Sequence, residues 1–279
     1  MNLSSFGEKY IFEEISQQMK TSLLISTYNW PEALDLVLSS AINQKIQADE
    51  ILIADDGSTE ETKALIDSFK SKSIVPIRHF WHEDNGFRKA IILNKAIAGA
   101  TGDYIVQIDG DCIMHKSFVG DHIAMAKENT YLYGSRVNIQ EDYLIELFKN
   151  RKLQFGFFDK GIKKRTRNLR IPLLSRLYGR HKEISKKMRG CNVSFWKKDV
   201  LAVNGYNEEF EGWGREDSEL IIRMINIGVL GQRLRYRGIV YHIWHKVKDK
   251  SGFKRNDAIQ EKTIAEKSTW CKKGIDAYL

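Results

Sequence analysis

Apolar and polar positions alternate in blocks through the first hundred residues of this chain. Ser22–Ser26, Glu50–Ala54, Val75–Phe80 and Asp103–Ile108 are short apolar runs that read as strands. Between them Pro31–Gln44, Thr59–Lys70 and Phe87–Ala98 carry helix-compatible patterns, the first with proline in its opening turn. Repeated strand–helix order predicts an α/β fold with a doubly wound, mainly parallel sheet, whose ligands sit beyond the carboxyl ends of the strands. Later the order changes. Cys191–Trp196 reads as a strand, Lys197–Val203 as a short helix and Glu216–Gly228 as a stronger one, with Leu220, Ile221, Met224 and Ile225 on one face. Arg233–Arg237 and Ile239–Ile243 suit short strands, and Glu8–Met19 and Asp257–Lys273 suit helices.

Polar groups gather at the ends of the early strands. Thr27-Tyr28-Asn29 follows the first, Asp55-Asp56-Gly57-Ser58 the second, and Asp109-Gly110-Asp111 the run Tyr104–Ile108. Each alone is an ordinary turn. Three on one sheet edge make a crevice able to hold a nucleotide. In Asp109-Gly110-Asp111 the glycine lets the backbone turn and a ligand approach, while the acids offer the hard oxygens that Mg²⁺ or Mn²⁺ prefers; such an ion would hold a diphosphate.

A second constellation is Gly212-Trp213-Gly214-Arg215-Glu216-Asp217. Flanking glycines leave the indole open as a platform for a sugar ring. One of the adjacent acids can hold acceptor hydroxyls, and the other can take a proton from an attacking hydroxyl. The plainer reading is a core tryptophan before a helix whose first turn favours acids. His242 and His245 lie three apart, and either can complete a metal site begun by Asp111.

Composition narrows the field. The 279 residues suffice for a sizeable core, and three prolines argue against long irregular linkers. No stretch is apolar enough to span a membrane, and residues 1–20 lack the pattern of a secretory signal, so a cytosolic chain is expected. Cys112, Cys191 and Cys271 show neither zinc spacing nor a disulfide framework. The net charge of +8 is concentrated: Lys149 to Arg189 holds fifteen lysines and arginines against Asp159 and Glu183, a balance of +13 that leaves about −5 elsewhere. With Phe155, Phe157, Phe158, Ile171, Leu173, Leu174, Leu177 and Tyr178 among them, this segment suits an anionic lipid surface or an anionic acceptor, or is simply a solvated insertion.

Taken together these motifs resemble the inverting glycosyltransferases of family 2, with the GT-A fold. Gly190-Cys191-Asn192-Val193-Ser194-Phe195, then Gly205-Tyr206-Asn207-Glu208 and Gly212–Asp217, is similar to the carboxyl-terminal half of β-1,4-galactosyltransferases and bacterial chondroitin-type polymerases. The resemblance implies one domain over 1–279: a nucleotide-sugar half at 21–112, an acceptor half at 113–245 containing the basic insertion 149–189, and a tail. It implies a UDP-sugar donor, with Tyr28 and Asp56 on the uracil, Asp55 or a neighbour on the ribose, Asp109 on the ribose or sugar, Arg88 facing the phosphates, and Thr27, Asn29 and Gly110 also in the nucleotide-sugar site. Asp111, His242 and His245 would hold Mn²⁺ (or Mg²⁺), Trp213 and Glu216 the acceptor sugar, and Asp217 would be the base. The acceptor expected is a glycan or lipid-linked saccharide, as in bacterial polysaccharide or lipopolysaccharide synthesis at the cytoplasmic membrane face. A pyrophosphorylase would need a glycine-rich phosphate loop that is missing, and a metal phosphohydrolase leaves Gly212–Asp217 unexplained. A nucleic-acid-binding protein would make the acidic motifs dispensable, and a lectin-like module would bind sugar without consuming UDP-sugar; no nucleic acid is expected.

Overall fold

The computed structural model describes residues 19–246 and 252–279. The helix expected over Glu8–Met19 lies outside the described residues except for Met19, which is buried. The first half alternates as its pattern predicts: β1 (Thr21–Thr27), α1 (Pro31–Ile42), β2 (Glu50–Asp55), α2 (Glu60–Lys70), β3 (Ile77–Trp81), α3 (Lys89–Gly99) and β4 (Tyr104–Asp109). β1, β2 and β4 are almost wholly buried, as parallel strands covered on both faces must be. The chain continues through β5 (Cys112–Met114), α4 (Phe118–Ile123), β6 (Thr130–Tyr133), β7 (Arg136–Ile139), α5 (Leu144–Asn150), β8 (Ile162–Lys163), α6 (Pro172–Ser175) and β9 (Arg180–His181). It closes with β10 (Asn192–Trp196), α7 (Lys197–Leu201), α8 (Glu216–Asn226), β11 (Leu230–Arg233), β12 (Val240–His242) and α9 (Phe253–Glu266).

The main sheet has the order β3-β2-β1-β4-β10-β6-β11-β9. Its first four strands are parallel, and β10 runs antiparallel to both β4 and β6. That reversal matters. Asn192 pairs with Ile108, so the start of β10 lies beside the carboxyl end of β4, and Gly190 and Cys191 reach the same rim as Asp109. A second sheet, β5-β12-β7-β8, pairs His242 with Cys112, next to Asp111.

Two expectations need correction. The strand expected at Arg233–Arg237 ends at Arg233, because the chain turns through Tyr236 with φ +67°. The tail helix begins at Phe253 and stops at Glu266, where Lys267 is left-handed; the rest folds back, with Asn204 accepting from the Ile275 N–H and donating to the Cys271 carbonyl. The basic stretch 149–189 is tied to both sheets through β8 and β9. Phe155 is buried against Tyr143 and Tyr241, and Arg170 grips the fully buried Asp121 at 2.6 and 3.0 Å. Phe158, Leu173 and Leu177 stay largely exposed.

Candidate active site

One cleft of about 640 Å³ opens along this rim and gathers residues from both sheets. Thr27 and Tyr28 line it after β1, Asp56 after β2, and Asp109, Gly110 and Asp111 after β4. Asp56 accepts from the Arg88 backbone N–H at 3.0 Å and meets His82 Nε2 at 2.8 Å. Burial pushes its carboxyl upward, against the pull of His82 and that N–H.

Three residues expected here are not among those lining the cleft. Asp55 is buried and holds the turn below it, accepting from the Ser58 N–H at 2.8 Å and meeting His79 Nε2 at 2.9 Å. Asn29 pins the neighbouring loop: its Oδ1 accepts from the Thr59 N–H, and its own N–H donates to Ser58 Oγ. Arg88 turns its guanidinium away to the Glu83 carbonyl, at 2.7 Å. The next residue faces the cleft instead. Lys89, at the start of α3, donates to Asp109 Oδ1 at 2.7 Å, and Asp109, Asp217 and Glu216 hold its ammonium well above its usual value despite burial.

Asp109 also accepts from Ser26 Oγ at 2.9 Å. Gly110 donates its N–H to the Ser26 carbonyl at 2.7 Å, and a Cβ there would come within 3.0 Å of that oxygen, which accounts for glycine between the acids. Asp111 Oδ2 lies 3.3 Å from His245 Nε2 and 3.6 Å from His242 Nε2. The candidate ligand atoms all lie within 4.8 Å of one another. Against the burial that would raise it, His245 and His242 hold Asp111 below the usual carboxylate range, and burial holds His242 below the usual imidazole value. His245 Nδ1 is 2.7 Å from the Lys246 carbonyl and must carry the proton to donate to it. In the neutral ring this leaves a lone pair on Nε2 aimed at the carboxylate. One carboxylate and two imidazole nitrogens converging within one ion's reach are a donor set that fits a divalent ion.

Across the cleft, Gly212 and Gly214 have φ of +74° and +109°, and Arg215, at +79°, leads into α8. Trp213 is part-exposed, lines the cleft and stacks on Phe253 at 6.2 Å. Glu216 is buried, accepts from the Gly214 N–H at 3.0 Å, and is pushed up to about 7 by burial and by Asp217 and Asp109. Burial also raises Asp217, while Lys89, Tyr206 and the Gly190 N–H pull it back. Tyr206 Oη contacts Asp217 Oδ1 at 3.3 Å and donates to Gln107 Oε1 at 2.9 Å. Gln107 in turn donates to the Gly190 carbonyl at 3.3 Å. A Cβ on Gly190 would overlap the Asp217 carboxylate.

The cleft therefore unites Asp56, Asp109, Gly110, Asp111, His242, His245, Trp213, Glu216 and Asp217. It adds Lys89, Arg136, Arg189, Gly190, Trp30 and Trp244, which pattern reading missed. Gly190 carried a signal, as the first residue of a motif whose partner was not visible, and Arg189 carried one as the end of the basic stretch.

Residues 22–182 match the family model described as glycosyl transferase family 2, and 177–246 match that described as the N-terminal domain of galactosyltransferase. Hyaluronan synthase of Pasteurella multocida is 25% identical over 228 residues, covering 76% of this chain and 23% of that protein. Chondroitin synthase of Escherichia coli is 27% identical over 232 residues, covering 74% and 32%. The chain thus spans a third or less of the length of these relatives. Among solved structures, S. aureus TarS 1–349 in complex with UDP superposes with a TM-score of 0.61 at 15% identity, covering 93% of this chain and 68% of that one. The fold they share is GT-A.

Proposed function

Because the chain belongs to glycosyl transferase family 2, we propose that it moves a hexose or N-acetylhexosamine from a UDP-sugar to a glycan or lipid-linked saccharide, inverting the anomeric carbon. The observation that carries this reading is one cleft with the Asp111–His242–His245 trio and the Glu216–Asp217 pair both in its wall. In this reading residues 21–112 bind the donor, 113–245 bind the acceptor, and the whole works as one unit.

Tyr28 and Asp56 hold the base, Thr27 sits at the nucleotide end, and Asp109 with Gly110 lies against ribose and sugar. Lys89 takes the phosphate-facing place expected of Arg88. Asp111, His242 and His245 would hold the cation, and one carboxylate with two imidazoles suits Mn²⁺ better than Mg²⁺, which favours oxygen. Bound there, it would supply positive charge to stabilise a departing diphosphate. Trp213 stacks on the acceptor ring and Glu216 holds its hydroxyls. Asp217 takes the proton of the attacking hydroxyl while the new carbon–oxygen bond forms opposite the bond to UDP that breaks. Gly190 and Tyr206 fix the lone pair that does this.

No helix among the described residues is long and apolar enough to cross a membrane. The exposed Phe158, Leu173 and Leu177 lie in the cationic stretch 149–189, which suits peripheral binding to the anionic inner face of a plasma membrane. The test is a panel of nucleotide sugars with Mn²⁺, scored for UDP release with and without saccharide acceptors. Acceptor-dependent release from one or a few UDP-sugars is expected. Saccharide binding with no UDP release from any donor would leave a lectin-like module instead.

A further inference from the structure

Six cations gather at and beyond the edge of the cleft, where Arg136 also feels the Asp111 carboxylate. Arg136 opens β7, Lys164 and Arg167 sit on the turn after β8, Arg189 precedes β10, and Arg233 and Arg235 lie at and beyond the end of β11. Arg136 and Arg189 line the cleft itself. Arg167 Nη1 donates to the Arg136 carbonyl at 3.1 Å, and Arg233 Nη2 donates to Ser135 Oγ at 3.2 Å, which knits the cluster to the start of β7. Burial first, then Arg233, Arg235, Arg136 and Arg189, hold Arg167 below its usual value; burial, then Arg167, Arg136 and Arg189, do the same to Lys164.

Other cations of the same basic stretch are paired: Arg151 with Asp35, Lys152 with Asp159, Arg170 with Asp121. Among the described residues no ion pair joins any of the six to an acid, and Arg233 Nε is buried without a hydrogen-bond partner. Arg136, Arg167, Arg233 and Arg235 are part-buried, Lys164 and Arg189 exposed; part-buried guanidinium groups held close together are costly unless an anion joins them, and their planar forks match phosphate and carboxylate.

We propose that this cluster binds an anionic group, a phosphate or a carboxylate, on the acceptor saccharide. Calling the ligand an acceptor rests on the transferase reading above; the anion site itself does not. Lys164, Arg167, Arg233 and Arg235 lie outside the cleft lining, and the transferase reading gives the donor diphosphate to Lys89 and to a cation that Asp111, His242 and His245 would hold. What remains for the outer cations is a charge on a chain that enters past Arg136 and Arg189.

The test is direct binding to the full chain of three labelled oligosaccharides of equal length, one bearing glucuronate, one a phosphodiester and one neutral. UDP with Mn²⁺ and phosphatidylglycerol vesicles are measured alongside. At least one charged saccharide should bind about tenfold or more tighter than the neutral one. The Arg167→Gln, Arg235→Gln double variant should lose that preference, Arg→Lys at both positions should restore part of it, and UDP affinity should hold. The charged arm that binds identifies phosphate or carboxylate. Equal binding of all three saccharides overturns the proposal, as does a preference that survives the double variant, or a variant defect confined to UDP or to vesicles. Because binding needs no turnover, a protein that shows the preference yet releases no UDP refutes the transferase reading and leaves the anion site standing.

Discussion

As the proposed base, Asp217 faces demands that pull against one another: burial favours its protonated form, and a base must be free of its proton. Lys89 is the largest influence toward the ionised form, while Asp109 adds to burial in the other direction. A carboxyl raised in this way is protonated below its pKa and free above it. Turnover should therefore climb with pH along a limb lying above the ordinary aspartate value of about 4. Lys89→Met removes the opposing cation and should move that limb to higher pH; a limb that stays or moves down contradicts the assignment. Gly190→Ala should drive the Asp217 carboxylate from its place and cost about 10²-fold in turnover, with little change in UDP affinity. Turnover near that of the wild type would show that Asp217 need not sit where it does. At this scale the acids were legible, because Asp-Gly-Asp and Glu-Asp stand at element ends. Lys89 was not, because nothing in its neighbours separates it from Arg88; only the path of the backbone into α3 sends one inward and the other to Glu83.

Elements fared according to how strong their period is. The parallel strands and α1 to α3 fall within a few residues of expectation, since buried apolar runs and one-faced helices announce themselves. Strand direction and partner do not show in such patterns, so neither the reversal of β10 nor the union of β12 with β5 could be read. α8 has to hold Glu216 and Asp217 steady, and it is anchored from below. Glu219 and Arg223, both almost fully buried, pair at 2.8 Å; Arg223 also donates to the Val203 and Gly205 carbonyls, and Thr263 of α9 donates to Glu219 at 3.0 Å. Glu219→Ala strands a buried guanidinium and should destabilise the fold by about 3–5 kcal/mol. Chemical denaturation reads this directly, and a loss below about 1 kcal/mol would mean Arg223 finds a substitute.

At the scale of the whole molecule, the cleft depends on two sheets meeting. The main sheet brings Asp56, Asp109 and Gly190 to one rim, and the second sheet carries His242 to Asp111 from more than a hundred residues away. The three motifs could be read separately and their union expected by resemblance, but their spacing across the cleft belongs to the fold alone. Division of labour follows: the cation site should govern UDP binding, and Asp217 should govern transfer. The most direct measurement is calorimetric titration of UDP, with and without Mn²⁺, into wild type, Asp111→Asn and Asp217→Asn, alongside turnover of the same three proteins. The account predicts Mn²⁺-dependent UDP binding that Asp111→Asn abolishes and Asp217→Asn keeps, with Asp217→Asn losing about 10²–10⁴ in rate. UDP binding indifferent to Mn²⁺ and to Asp111, or turnover that survives Asp217→Asn, would contradict it.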